Sequence, residues 1–224
     1  MPRVARIYTD EGVFHILARG NNKQSIFHRD ADFQAYKSIL TKYKEEHPHK
    51  LYHYCLMTNH IHLILETNRS TALSRFMKRV NLAYFTHYKR LYGYVGHFWQ
   101  DRFKSLLISK DEYLLACGLY IERNPVKAKI ISSPRSYKYS SYAYYAYGAN
   151  DELIDADPLY EGMGKTGKER QERYRSLAID EDLHINEKVF SQLFLGPDDF
   201  IRKMEKAFDV KNIRQERGRP KKEK

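Results

Sequence analysis

Two spacings of apolar residues alternate along the first 124 residues, and their order constrains the fold more than any other feature. "GVFHILARG", Gly12 to Gly20, is an apolar run closed by a glycine turn and reads as a strand. In "DADFQAYKSILTKYKEEH", Phe33, Tyr36, Ile39, Leu40 and Tyr43 recur at helical spacing behind an acidic start. "KLYHYCLMT" and "IHLILET" read as two further strands, with Thr58-Asn59 near the bend between them. "STALSRFMKRVNLAYFTHYKRLYG" is a second amphipathic helix, opened by Ser70 or Thr71 and ended by Gly93. "FKSLLISK" is a fourth strand, and "DEYLLACGLYIERN" a third helix with Asp111 as its cap and Pro125 just past its end. The first six elements follow the split βαβ, or ferredoxin-like, plan. The expected class is α+β: an antiparallel sheet with packed helices, followed by a helical C-terminal extension.

After residue 150 the periodicity weakens. "KERQERYRSLAI" and "GPDDFIRKMEKAF" look helical, "DEDLHINEK" is a loop or short turn, and "NIRQERGRPKKEK" has no apolar period and reads as disordered. The expected organisation is a body over residues 1–149, a helical extension over 150–210 and a basic tail over 211–224. Net charge is +11, unevenly spread: +12 on residues 1–149, −7 on 150–200 and +6 on 201–224. A basic body with a basic tail points to a polyanion, most commonly nucleic acid. No apolar run is long enough for a transmembrane helix, and "MPRVARIYTDEG" lacks the apolar stretch of a signal peptide. Cys55 and Cys117 make neither a disulfide framework nor a metal-knuckle spacing, and read as buried thiols of a cytoplasmic protein.

"CLMTNHIHLILE" is a core strand interrupted by two imidazoles, His60 and His62. Side chains two apart on a strand share a face, roughly 6–7 Å apart at the backbone. Both rings can then turn to one metal ion, or simply sit on the open face of a half-solvated strand. In "YIERN", Tyr120 and Asn124 lie four apart and share a helix face, and Pro125 biases Asn124 out of the helical region to the helix end. Two imidazoles and an amide oxygen would leave metal positions open for phosphate oxygens, with a tyrosine one turn away to attack the phosphorus. From spacing alone, an ordinary core stripe of Tyr113, Ala116, Cys117, Tyr120 and Ile121 is the stronger reading.

Basic residues cluster in two places. The second helix carries Arg75, Lys78, Arg79, Lys89 and Arg90; the loop after it holds Phe98, Trp99, Arg102 and Lys104. Cations interleaved with aromatics suit a single strand, tracking phosphates while rings stack on bases, although an amphipathic helix with a packed tryptophan gives the same pattern. "YKYSSYAYYAYG" reads more as packing than as base stacking. Arg217-Gly218-Arg219-Pro220 has the core pattern of an AT-hook, in which Arg217 and Arg219 would follow a narrow minor groove; a solvated basic tail is the competing reading.

"CLMTNHIHLILE", "GHFWQDRFKS" and "YIERNPVKAKI", in that order, resemble the single-tyrosine His-hydrophobic-His transposases, and most of all the REP-associated tyrosine transposases. "ARGNNKQSIF" and "YKYSSYAYY" fit as well, so the resemblance covers about residues 3–148. It implies metal-binding histidines at His60 and His62, an amide ligand at Asn124 and a nucleophilic tyrosine at Tyr120. Thr58 departs from the pattern, which commonly has proline there. The implied activity is metal-dependent cleavage and rejoining of single-stranded DNA at a hairpin, through a 5′-phosphotyrosine. The metal would be Mg²⁺ or Mn²⁺, with Mn²⁺ the better match to imidazole. The expected partner is single-stranded or hairpin DNA, with no membrane, and the chain a monomer or homodimer. A non-catalytic DNA- or RNA-hairpin regulator of the same fold and a relaxase or replication initiator of the same chemistry stay open. No general base stands out; Glu122 is near in sequence but points elsewhere on the helix.

Overall fold

β1 (Gly12–Arg19) lies between two antiparallel neighbours, β3 (His60–Thr67) and β4 (Lys104–Ile108), and β2 (Lys50–Met57) pairs with the outer edge of β3. The order β2-β3-β1-β4 is that of the split βαβ plan. This computed structural model describes residues 7, 9, 11–67, 70–179, 185 and 192–212. α1 (Asp30–Glu46) links β1 to β2, α2 (Ser70–Tyr92) links β3 to β4, and α3 (Glu112–Glu122) follows β4. Local punctuation sets the helix ends. Asp111 accepts a hydrogen bond from the Tyr113 amide at 3.2 Å, and Gly93, at φ +63°, takes the left-handed turn that stops α2.

Two stretches differ from expectation. The third helix does not stop at Asn124: Arg123, at φ −83° and ψ −8°, stays near-helical, and Asn124 opens a further turn, α4 (Asn124–Lys127). Pro125 sits in the first turn of α4, where its missing N–H costs nothing. The extension also supplies a strand. After α5 (Tyr142–Tyr147), α6 (Pro158–Gly162) and α7 (Gly167–Ile179), β5 (Phe194–Leu195) pairs parallel to β4, ahead of α8 (Asp198–Phe208). It satisfies the outer edge of β4: the Leu107 and Ser109 amides donate to the carbonyls of Leu193 and Leu195 at 3.0 and 2.8 Å. Two residues are too few to show a period.

The pleat sorts the sheet into two unlike faces. Phe14, Ile16, Ala18, Ile61, Leu63, Leu65 and Leu56 fill one face, all buried. α1 and α2 cover it, and Leu40 and Phe76 line one small cavity there with Leu51 and Leu65. The registers His15↔Ile64↔His53 and Leu17↔His62↔Cys55 put His15, His53, His60 and His62 together on the other face. α3 packs there, and Gly118 permits it: a Cβ at this position would lie 2.6 Å from the His53 ring. Gly118→Ala should therefore cost about 1–3 kcal/mol through overpacking. Urea denaturation checks this; wild-type stability would mean that α3 can lift off the sheet without loss.

Tyr137, Tyr139, Tyr142 and Tyr145 of the tyrosine-rich run are buried and packed, while Tyr147 is exposed. Tyr137 and Tyr145 donate to the Leu56 and Tyr52 carbonyls at 2.5 and 2.6 Å, and Tyr139 stacks on Phe33 at 3.7 Å between ring centroids.

Candidate active site

The two-residue turn Thr58-Asn59 delivers β3 with His60 at its mouth and His62 one pleat deeper. His62 is buried and His60 half-buried. Their rings lie 4.9 Å apart between centroids at an interplanar angle of 80°. Burial pushes the His62 imidazole well below its ordinary pKa, helped by His60, His15 and Arg19. Burial, then Arg19, takes His60 down to about 4. Both rings are neutral at pH 7, the state in which imidazole ligates. Asn59 sets the tautomer of His60. Its Nδ2 donates to the Lys23 carbonyl at 3.2 Å, which turns Oδ1 to His60 Nδ1 at 2.6 Å. The His60 proton is then on Nδ1 and the lone pair on Nε2.

α3 and α4 bring the other half. The Asn124 carboxamide nitrogen is 3.1 Å from His62 Nε2. Tyr120, one turn earlier, is 3% exposed, with the Lys127 ammonium 4.1 Å above its ring. Among the described residues no group of three or more His, Cys, Asp or Glu side chains is spaced to hold a metal ion. Two imidazoles and an amide lie together instead, His60 beside His62 and Asn124 against His62. As residue types they fit a divalent ion once the carboxamide turns over to present its oxygen.

A family profile described as "Transposase IS200 like" matches residues 9–124, a span that includes His60, His62, Tyr120 and Asn124. The chain belongs to the IS200-like transposase family. A solved structure of the REP-associated tyrosine transposase bound to a REP hairpin matches 69% of this chain and 94% of that one, with a TM-score of 0.56 and 18% identity, a likeness of fold. A structure assigned to a transposase of Deinococcus radiodurans R1 matches 58% of this chain and 95% of that one at 15% identity; its TM-score of 0.38 is too low to bear on the argument. No curated protein matches the sequence.

The basic residues singled out in the sequence divide between the two faces of the sheet. Arg75, Lys78 and Arg79 are exposed on α2, which packs on the face opposite the histidines. Arg79 is also paired with Glu46 and stands 5.8 Å from the Tyr43 ring. Arg102 and Lys104 are exposed on the other side of β1 from β3, and Lys104 lies in one cross-strand row with Leu17 and His62. Phe98 is buried, and the Trp99 indole donates to the Asn81 carbonyl at 3.1 Å, so packing accounts for both rings. Arg217 and Arg219 lie outside the described residues. No described helix is long and apolar enough to cross a membrane.

Sequence reasoning missed His15, Arg19 and Lys127. His15 is a single histidine in an apolar strand, and Arg19 pairs with His60 only through register. Glu122, left without a role, belongs to a separate buried cluster. His53 bridges it, with Nδ1 at 3.1 Å from Glu122 and Nε2 at 3.0 Å from Asp157. Tyr174 donates to Glu122 at 2.7 Å, and Ser141 donates to the same carboxylate. Burial works against a charge on His53, but Asp157 and Glu122 outweigh it and raise its pKa to about 9.

Proposed function

We propose that this transposase cleaves and rejoins single-stranded DNA beside a hairpin, with Tyr120 as nucleophile and with His60, His62 and Asn124 holding a divalent ion. The observation that carries this reading is the contact of Asn124, one turn past Tyr120, with the ligating nitrogen of His62. When bound, the ion draws negative charge off the scissile phosphate. The Tyr120 oxygen attacks phosphorus, the bond to the 3′ oxygen breaks, and that oxygen leaves as a hydroxyl carrying the proton. The 5′-phosphotyrosine keeps the phosphodiester energy, so a 3′-hydroxyl from the same or another strand reverses the step without ATP. Lys127, over the ring, offsets the negative charge that gathers on Tyr120 as its proton leaves. Tyr120 is 3% exposed, so its oxygen has to be uncovered to reach a phosphate. Arg102 and Lys104 would meet the phosphates nearest the site, while Arg75, Lys78 and Arg79 would need a second stretch of DNA on the far face. On this reading the reaction takes place in the cytoplasm.

A hairpin oligonucleotide labelled at its 3′ end provides the test. A denaturant-stable protein–DNA adduct is expected with Mn²⁺ and none with chelator. His60→Ala and His62→Ala should each lower labelling more than about 100-fold at fixed metal, beyond the loss typical of an outer partner. Unchanged labelling in chelator would remove the metal from the reading. Tight hairpin binding with no adduct on any strand would instead favour a non-catalytic regulator.

A further inference from the structure

His15 is 1% exposed in the middle of β1 and has no part in the reaction as drawn above. Its Nε2 is 2.9 Å from Nδ1 of His62, and its Nδ1 is 3.5 Å from the Cys117 sulfur on α3. With Asn124 at 3.1 Å on the far side of His62, four side chains from four elements form one hydrogen-bonded line. A neutral imidazole that accepts at one nitrogen donates at the other, so the protons along the line are not independent.

The Asn124 nitrogen can only donate, and it faces Nε2 of His62. Nε2 is therefore the acceptor, and the His62 proton is on Nδ1. That proton is donated to Nε2 of His15, which leaves the His15 proton on Nδ1, facing the Cys117 sulfur, a weak acceptor. Each contact is consistent with this one arrangement. The opposite arrangement runs from a Cys117 S–H through His15 to an Nε2–H on His62 pointing at the amide oxygen. It leaves His62 no lone pair toward Asn124, and so no ligating atom.

We infer that His15 is a positioning residue for the metal site. It accepts the Nδ1 proton of His62, fixes the tautomer that ligates through Nε2, and holds the ring toward Asn124. This rests on the metal role proposed above for His62. An acceptor behind a ligating imidazole also raises its basicity, and losing such a partner typically lowers metal affinity by about 10–100-fold.

The test measures Mn²⁺ binding to the full-length protein without DNA, with urea stability of each variant alongside. His15→Phe keeps a ring but removes the acceptor; His15→Gln can restore an accepting oxygen. Wild type should bind Mn²⁺, His62→Ala should not, His15→Phe should bind about 10–100-fold more weakly while folded, and His15→Gln should recover most of that loss. Nitrogen NMR of metal-free wild type should place the His62 proton on Nδ1. A folded His15→Phe that binds Mn²⁺ like wild type overturns the inference and leaves the metal reading standing. Equal Mn²⁺ binding by wild type and His62→Ala defeats the metal reading, and this inference with it. Should His15→Phe fail to fold, the NMR result decides alone, and a proton on Nε2 of His62 overturns the inference.

Discussion

Tyr120→Phe is expected to leave hairpin binding intact and to abolish the covalent adduct, slowing cleavage on the order of 10⁴-fold or more, the scale of losing a nucleophile. The substitution removes one oxygen and keeps the ring that packs beneath Lys127. Losing a hydrogen-bonding group at a site 3% exposed should cost stability only on the order of 1 kcal/mol. Binding and stability near wild type combined with no adduct separate a chemical role from a packing one. Labelling by the phenylalanine variant at a rate close to wild type would move the nucleophile to another of the 19 tyrosines.

The second large effect concerns stability. His53→Ala should destabilise the fold by about 3–5 kcal/mol, because it leaves Glu122 and Asp157 as buried carboxylates without their shared cation. The same cluster gives wild type a pH dependence. Folding raises the His53 pKa from 6.5 to about 9. Its contribution is therefore fully present below pH 6.5 and is lost as pH rises through about 9, since in that window the folded state holds a proton that the unfolded state has released. The loss should reach about 3 kcal/mol across the window. Tyr174 and Ser141 donate to Glu122, the Leu159 amide donates to Asp157, and Tyr145 stacks on the His53 ring. Urea denaturation of wild type and His53→Ala at pH 6, 7.5 and 9 isolates the His53 slope as the difference between them, because both keep the opposite slope of His49, His60 and His62, whose pKa values burial lowers; a difference that stays constant over that range would argue against a charged His53. Because Glu122 ends α3, the helix that carries Tyr120, the alanine variant should lose cleavage along with stability.

Those residues differ in how much of their role was legible in advance. The shared face of His60 and His62 follows from the two-residue period of a strand, a property of a few consecutive backbone dihedrals. The one-turn step from Tyr120 to Asn124 is as local, and it survives the bend at Arg123 because the chain stays near-helical there. Gly93 ends α2 and Asp111 starts α3 by local chemistry too. The contact of Asn124 with His62 is another matter: 62 residues separate them, and α3 has to settle on the histidine face for them to meet. Gly118 against His53 allows it.

Register decided the rest. His15 stands behind His62, Arg19 beside His60 and Lys104 in the same row only because β1 pairs with β3 and β4 in one alignment, and a slip of one residue would send all of them to the apolar face. Arg75, Lys78 and Arg79 carry the charge that the sequence promised, but the face on which α2 packs sets them away from the histidines. The His53 cluster draws on residues 53, 122, 141, 157 and 174, and β5 completes the sheet from residues 194 and 195. A sequence states the period of each element, because the period is fixed by neighbours along the chain. Which elements meet, on which face and in which alignment is fixed by burying the apolar sides of all of them at once, and that is a property of the folded whole.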